Sequence, residues 1–86
     1  DQRFVTNGAV GSLRYRVTFK GPGGHSYGAF GLGNPAFAMA DAMQRFSRVT
    51  VPAAPRTIFN VGVVQGGTSV NAIPVEVSMD VDMRSE

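Results

Sequence analysis

The chain has no cysteine and only one histidine, His25. Without cysteine it can form neither disulfides nor thiolate metal sites, which is compatible with a reducing compartment. Its six acidic residues fall mainly on the faces of predicted strands, where they do not converge on the histidine. The sequence therefore lacks a complete set of metal ligands and a general base, and we do not expect this chain to be an enzyme by itself.

Charge and long apolar runs are also scarce. Only 16% of the residues are charged, the formal net charge is +2, and the eight basic residues are spread along the chain. Nucleic-acid binding requires clustered cations, so this distribution disfavours it. No apolar run approaches the ~18 residues of a membrane span, and the first residues lack a signal-peptide pattern. These features indicate a cytoplasmic protein without a membrane partner.

Length and composition predict one small folded domain. A chain of 86 residues, 43% of them hydrophobic, has room for only a thin core. Residues 1–11 are polar and glycine-containing, and Asn7–Gly8 is a turn signal. We expect these residues to form a lead-in segment and residues 12–86 to form the domain.

Alternating apolar and polar residues predict three strands. The first runs from residue 12 to residue 20, the second from 57 to 65 and the third from 75 to 84. In the second strand, the alternation places Phe59, Val61 and Val63 on one side. In the third, it places every odd-numbered residue on the apolar side.

One helix is predicted between the first two strands. Asn34 is suited to cap its N-terminus and Pro35 to occupy its first position, and an apolar stripe that ends at Phe46 predicts a helix to about Arg48. A right-handed crossover through this helix makes the first two strands parallel and leaves room for the third between them. The prediction is an α+β fold of two layers, with an antiparallel or mixed sheet and one helix on one face.

The polar side of the third strand predicts a salt network. With that strand in the centre, its acidic residues lie across from the basic residues of the first strand, which predicts exposed opposite-charge pairs. Asp80 and Asp82 also resemble a catalytic carboxylate pair, but the facing arginines favour the salt network. The residues of the two strands are Arg14, Arg16 and Lys20, and Glu76, Asp80 and Asp82.

Two glycine-rich loops carry the candidate functional residues. The loop at residues 21–26 presents His25 directly after a strand, and the loop at residues 66–74 contains Asn71 and is longer than a turn requires. Together they indicate a substrate-contacting surface. Each residue also has a simpler interpretation, in which His25 is an exposed loop histidine without a task and Asn71 only stabilises its own loop.

The glycine-rich run at residues 28–33 leads into the predicted helix. Free N–H groups at a helix N-terminus can bind an anion, but the run lacks a dinucleotide fingerprint. A flexible hinge is the interpretation that we favour for it.

Three ordered motifs resemble one family. They are Tyr15–Ser26 (YRVTFKGPGGHS), Gly66–Pro74 (GGTSVNAIP) and Val81–Arg84 (VDMR). The chain resembles, over nearly its whole length, the lid or dimerisation domain of the zinc-dependent exopeptidases. That family includes aminoacylase, acetylornithine deacetylase, succinyl-diaminopimelate desuccinylase, tripeptidase and glutamate carboxypeptidase.

The resemblance implies a ferredoxin-like lid and a role for three residues. His25 would reach into the partner subunit's active site and stabilise the oxyanion, while Asn71 and Arg84 would contact substrate, Arg84 through a carboxylate that its planar guanidinium matches. Two zinc ions would sit in a separate catalytic domain and none in this chain. The implied substrate is a peptide or an N-acyl amino acid.

The family's full lid has the order β-α-β-β-α-β, whereas this chain has β-α-β-β and reaches Ser85–Glu86 where the second helix would begin. An uncovered sheet edge favours self-association, so we expect a homo-oligomer, most simply a dimer.

The alternative function is a free-standing ferredoxin-like module that binds a small ligand and mediates assembly. RNA binding ranks third, because the exposed strand positions are charged and not aromatic.

Overall fold

The computed structural model describes residues 2–4 and 11–85, and the expected turn at Asn7–Gly8 lies outside these residues. Within them, no helix is long and apolar enough to cross a membrane. The helix and the six strands are β1 (Gln2–Phe4), β2 (Ser12–Lys20), β3 (Gly24–His25), α1 (Pro35–Phe46), β4 (Thr57–Gly66), β5 (Ala72–Ile73) and β6 (Glu76–Ser85).

The main sheet has the strand order β1-β2-β6-β4, and each neighbouring pair is antiparallel. Strands β2 and β4 therefore run parallel to each other with β6 between them, as the crossover argument predicted. The predicted α+β fold is confirmed, with one helix packed against β6 and β2. The short edge strand β1 was not expected, because three residues are too few to show an alternation.

Helix α1 begins where the capping pattern predicted. The side-chain Oδ1 of Asn34 accepts a hydrogen bond from the N–H of Ala36 at 2.9 Å, and Pro35 takes the first helical position. The helix ends at Phe46, two residues before the predicted end. The chain tightens there, because the N–H groups of Arg48 and Val49 donate to carbonyls three residues back, those of Arg45 and Phe46, at 3.1 Å.

The core lies between α1 and the apolar face of β6. Its buried cluster comprises Met39 of the helix and Val77, Met79 and Val81 of the strand, with Phe46 and Phe59 in ring contact at 4.7 Å beside it. As the alternation predicted, Val77, Met79, Val81 and Met83 share this face, whereas Val75 lies outside β6 and is exposed. So small a buried cluster fits a chain of this length.

A bulge corrects the predicted face of one β4 residue. The register shifts between Val61 and Val63, so that Val61 lies opposite Val81 while Val63 lies opposite Asp80. Because residues directly opposite share a face, Val63 lies on the charged side, and Val64, opposite Met79, takes the apolar side. Because Val63 and Val64 are both apolar, the alternation alone could not show which of them faces the core.

The other face of the sheet carries the predicted salt network. Arg16 donates to Asp80 from two nitrogens, at 2.8 and 3.2 Å, and Arg14 lies 3.4 Å from Asp82. The Arg16 guanidinium lowers the pKa of Asp80 through these hydrogen bonds. These partners explain the two carboxylates as a solvated network and not as a catalytic pair.

Candidate functional site

The two glycine-rich loops pair with each other. Strands β3 and β5 form a second, two-stranded sheet in which His25 lies opposite Ala72. The N–H of Ser26 extends the pairing by donating to the carbonyl of Asn71 at 3.0 Å. The structure thus brings the backbones of His25 and Asn71 together, at the Glu76 end of β6.

Glycine is required for this pairing at two positions. Gly23 and Gly24 have positive φ angles of 76° and 125°, which side chains rarely adopt. A Cβ atom at Gly23 would lie only 2.5 Å from Cγ1 of Val75. The Gly-Pro-Gly-Gly sequence therefore lets the His25 loop lie close against the Asn71 loop.

The exposed imidazole of His25 is held by its own loop. Its Nδ1 accepts a hydrogen bond from the backbone N–H of Tyr27 at 3.2 Å. An accepting Nδ1 in a neutral imidazole leaves the proton on Nε2. Nε2–H has no acceptor among the described residues, so His25 presents a hydrogen-bond donor to whatever approaches this surface.

Asn71 is also arranged as a donor. Its Oδ1 accepts a hydrogen bond from the hydroxyl of Ser69 at 3.0 Å, and the side chain is exposed. With the oxygen engaged, the two amide N–H groups remain for an outside acceptor. The loop stabilisation that the sequence offered as the simpler interpretation is present, and it orients the amide.

Arg84 lies at the opposite end of β6. Its Nε donates to Asp82 at 3.2 Å, and half of its side chain is exposed. From Glu76 to Arg84 the strand rises about 26 Å. Within one chain, the structure therefore does not bring Arg84 to His25 and Asn71.

The His25 and Asn71 loops present donors without a general base beside them. No group of three or more His, Asp or Glu side chains within residues 2–4 and 11–85 could hold a metal ion. The residues present do not fit a zinc site. Exposed N–H donors on two loops whose backbones are paired suit an oxygen atom that carries or develops negative charge.

The structure adds residues that the sequence did not single out. Tyr27 supplies the N–H that holds His25, and Ser69 supplies the hydroxyl that holds Asn71. Tyr27 and Phe30 are also almost fully exposed, at 90% and 88%. A signal was present, since two aromatic residues in a loop outside every strand and helix pattern have no predicted core to join.

An open edge and a groove lie on the β4 side of the molecule. Strand β4 is the last strand of the main sheet and contains no charged residue. A groove of about 550 Å³ runs between α1 and β4, and its apolar lining includes Met43, Phe46, Phe59 and Val61. Strand β4 is uncharged and ten residues long, and on one side it has no partner strand among residues 2–4 and 11–85, so it is suited to accept another strand.

Comparison with known proteins identifies related structures. The chain is 30% identical to an aminobenzoyl-glutamate utilization protein from Klebsiella pneumoniae, with a TM-score of 0.79 over 88% of this chain. A putative aminohydrolase from methicillin-resistant Staphylococcus aureus is 23% identical, with a TM-score of 0.69 over 87% of this chain, and shares the fold. The chain spans 20% of the first protein and 21% of the second.

A search of curated protein sequences found no match. The sequence pattern of one family, described as the peptidase dimerisation domain, matches residues 7–86. That range includes both paired loops, the helix and the open edge of β4. The chain therefore belongs to the peptidase dimerisation domain family.

Proposed function

We propose that this chain is the dimerisation and lid domain of a di-zinc exopeptidase or amidohydrolase, and that His25 stabilises the oxyanion in the partner subunit's active site. The observation that carries the proposal is the hydrogen bond from Tyr27 N–H to Nδ1 of His25. It leaves Nε2–H exposed as a donor. A single donor aimed at a developing oxyanion contributes about 3–4 kcal/mol to transition-state stabilisation.

The separation along β6 supports a site shared by two chains. His25 and Asn71 lie at one end of the strand and Arg84 at the other, about 26 Å apart by the rise of a strand. A small substrate cannot contact both ends of one chain. If all three residues contact one substrate, as the family resemblance implies, His25 and Asn71 come from one subunit and Arg84 from the other.

The open edge of β4 offers a route to such a dimer. Two β4 strands that pair antiparallel about a two-fold axis set the Thr57 end of one beside the Gly66 end of the other. Ile58 lies opposite Arg84 and Gly66 opposite Val77, so this pairing brings the Arg84 end of one chain towards the His25 end of its partner. The groove between α1 and β4 lies at the same seam and would be covered.

The catalytic domain would supply the two zinc ions, their ligands and the general base, which this chain does not provide. Zinc bound in that domain would supply Lewis-acid chemistry at the scissile carbonyl and at the attacking water. Residues of this chain would act on the substrate around that centre. Asn71 would donate to a substrate oxygen, and Arg84 would hold a carboxylate with its planar fork.

An N-acyl amino acid or a peptide is the substrate class that we propose. The Klebsiella relative is named for aminobenzoyl-glutamate, in which an aromatic acyl group is joined to an amino acid. Such a molecule has both groups that the proposal needs, a scissile carbonyl for the His25 donor and a carboxylate for Arg84.

The test is His25→Ala in the polypeptide that joins this chain to its catalytic domain. We expect kcat to fall about 10²–10³-fold with little change in KM, because the donor acts mainly in the transition state. Arg48→Ala, an exposed residue beyond the end of α1, is the control and should leave both constants unchanged. Wild-type turnover in His25→Ala would contradict the proposal.

A further inference from the structure

We infer that Tyr27 and Phe30 select substrates with an apolar acyl group, by packing against that group when His25 binds the scissile carbonyl. The inference rests on the proposed function and adds a specificity determinant to it. It begins from the two most exposed aromatic side chains of residues 11–85.

The loop that carries these rings is held by hydrogen bonds. The N–H of Ala29 donates to the carbonyl of His25 at 2.8 Å, and the N–H of Leu32 donates to the carbonyl of Ala29 at 3.0 Å. Ala29 itself is buried and anchors the loop. Two successive turns place Tyr27 and Phe30 outward, and the flexible hinge favoured from the sequence stays a prediction.

Exposure of two rings requires a physical reason. An aromatic ring left in water forgoes the favourable free energy of burial, and clustered exposed apolar side chains mark contact surfaces. Leu32 is also exposed, and on the facing loop Val70 is fully exposed next to Asn71. The apolar side chains therefore lie on both loops that present the polar donors.

The position of Tyr27 beside His25 places its ring near the acyl group of a bound substrate. Its backbone N–H holds Nδ1 of His25, so its ring projects from the segment that aims Nε2–H. The acyl substituent begins one bond from the carbonyl carbon whose oxygen His25 would bind. Residues 26–33 include no charged residue, and their exposed side chains are mainly apolar, so an apolar acyl group beside the His25 donor would find apolar partners on this loop.

The experiment compares two substrates in the enzyme that contains this chain, the N-benzoyl and N-formyl derivatives of the same amino acid. Tyr27→Ser and Phe30→Ser should each lower kcat/KM for the benzoyl substrate about tenfold, since the loss of apolar contact in a binding site has effects of this size. For the formyl substrate, we expect kcat/KM within about twofold of wild type. Tyr27→Phe should keep the wild-type preference.

The serine variants retain the backbone N–H that orients His25, so they change the rings and not the donor. Val49→Ser, which removes an exposed apolar side chain after the other end of α1, is the matched control and should leave the ratio of the two substrates unchanged.

Equal losses on both substrates would overturn the inference, because the rings would then support lid closure in general. Unchanged kcat/KM on both substrates would overturn it too. His25→Ala, measured beside these variants, tests the proposed function separately. If the proposed function is wrong, His25→Ala has wild-type turnover on both substrates. If only the inference is wrong, His25→Ala loses turnover while the Tyr27 and Phe30 variants leave the ratio of kcat/KM between the two substrates unchanged.

Discussion

At the scale of single residues, the candidate site depends on neighbours that hold His25 and Asn71 as donors. The sequence motifs predicted both residues as candidates for the site, because a lone histidine after a glycine run and an asparagine in a long loop can be recognised from the sequence alone. The bonds from Tyr27 and Ser69 could not be predicted, since they depend on how each loop turns back on itself. The charge pairs were predictable because register follows from alternation.

The pair formed by Arg16 and Asp80 predicts a pH dependence. Arg16 lowers the pKa of folded Asp80 below its unfolded value, so the pair stabilises the fold above the unfolded pKa, and this contribution disappears as the pH falls through the folded pKa. Asp80→Asn should therefore lower the free energy of unfolding at pH 7, and the deficit should vanish in acid. Urea unfolding at both pH values measures it.

Arg16→Gln removes the same hydrogen bonds from the other side and should show the same dependence on pH. The pair is solvent-exposed, so the effect will be small. A deficit of equal size at pH 7 and in acid would contradict this account of the pair.

At the scale of elements, alternation predicted β2, β4 and β6, and the capping pattern with its apolar stripe predicted α1. Strands β1, β3 and β5 were not predicted. Strands of two or three residues are too short to carry a period, and Gly24, one of the two residues of β3, has no side chain to mark a face. The bulge between Val61 and Val63 was also missed. Val63 and Val64 are both apolar, so the sequence does not show which of them lies on the core side. What sequence could not predict was the pairing of the two loops.

Gly66 fixes the end of β4 from which the second loop departs. It has φ of 131°, and a Cβ atom there would lie 2.6 Å from the backbone of both Glu76 and Val77. We expect Gly66→Ala to reduce the free energy of unfolding by about 1–3 kcal/mol, from backbone strain and close contact. Urea denaturation provides the measurement.

Gly28→Ala is the matched control. Nothing lies within 4 Å of a Cβ atom at Gly28, and its φ is not positive. This variant should stay within about 0.5 kcal/mol of wild type. Equal effects of the two substitutions would show that Gly66 is not required for its conformation.

At the scale of the whole molecule, the main features are the uncharged edge of β4 and the separation of Arg84 from the paired loops. The sequence predicted self-association from an uncovered edge, and the family is a dimerisation domain. A dimer through β4 accounts for both features, because it covers the edge and brings opposite ends of two β6 strands towards each other.

Val64→Lys tests that interface. Val64 is half-exposed on the apolar side of the edge strand, where a lysine would oppose strand addition by placing charge at the seam. We expect the dimer to dissociate at concentrations where the wild type remains associated, as measured by light scattering over a concentration series. Val49→Lys, away from the edge, should leave the mass unchanged, and an unchanged mass for Val64→Lys would exclude β4 as the interface.

The most direct test of the shared site is complementation between two defective chains. His25→Ala and Arg84→Ala are co-expressed in equal amounts in the enzyme that contains this chain, and each is also purified alone. Random pairing of equal amounts makes half of the dimers mixed. If His25 of one subunit completes the site that uses Arg84 of the other, each mixed dimer has one intact site out of two. The account predicts recovery of about a quarter of the wild-type activity, and activity no higher than that of the single variants would contradict it.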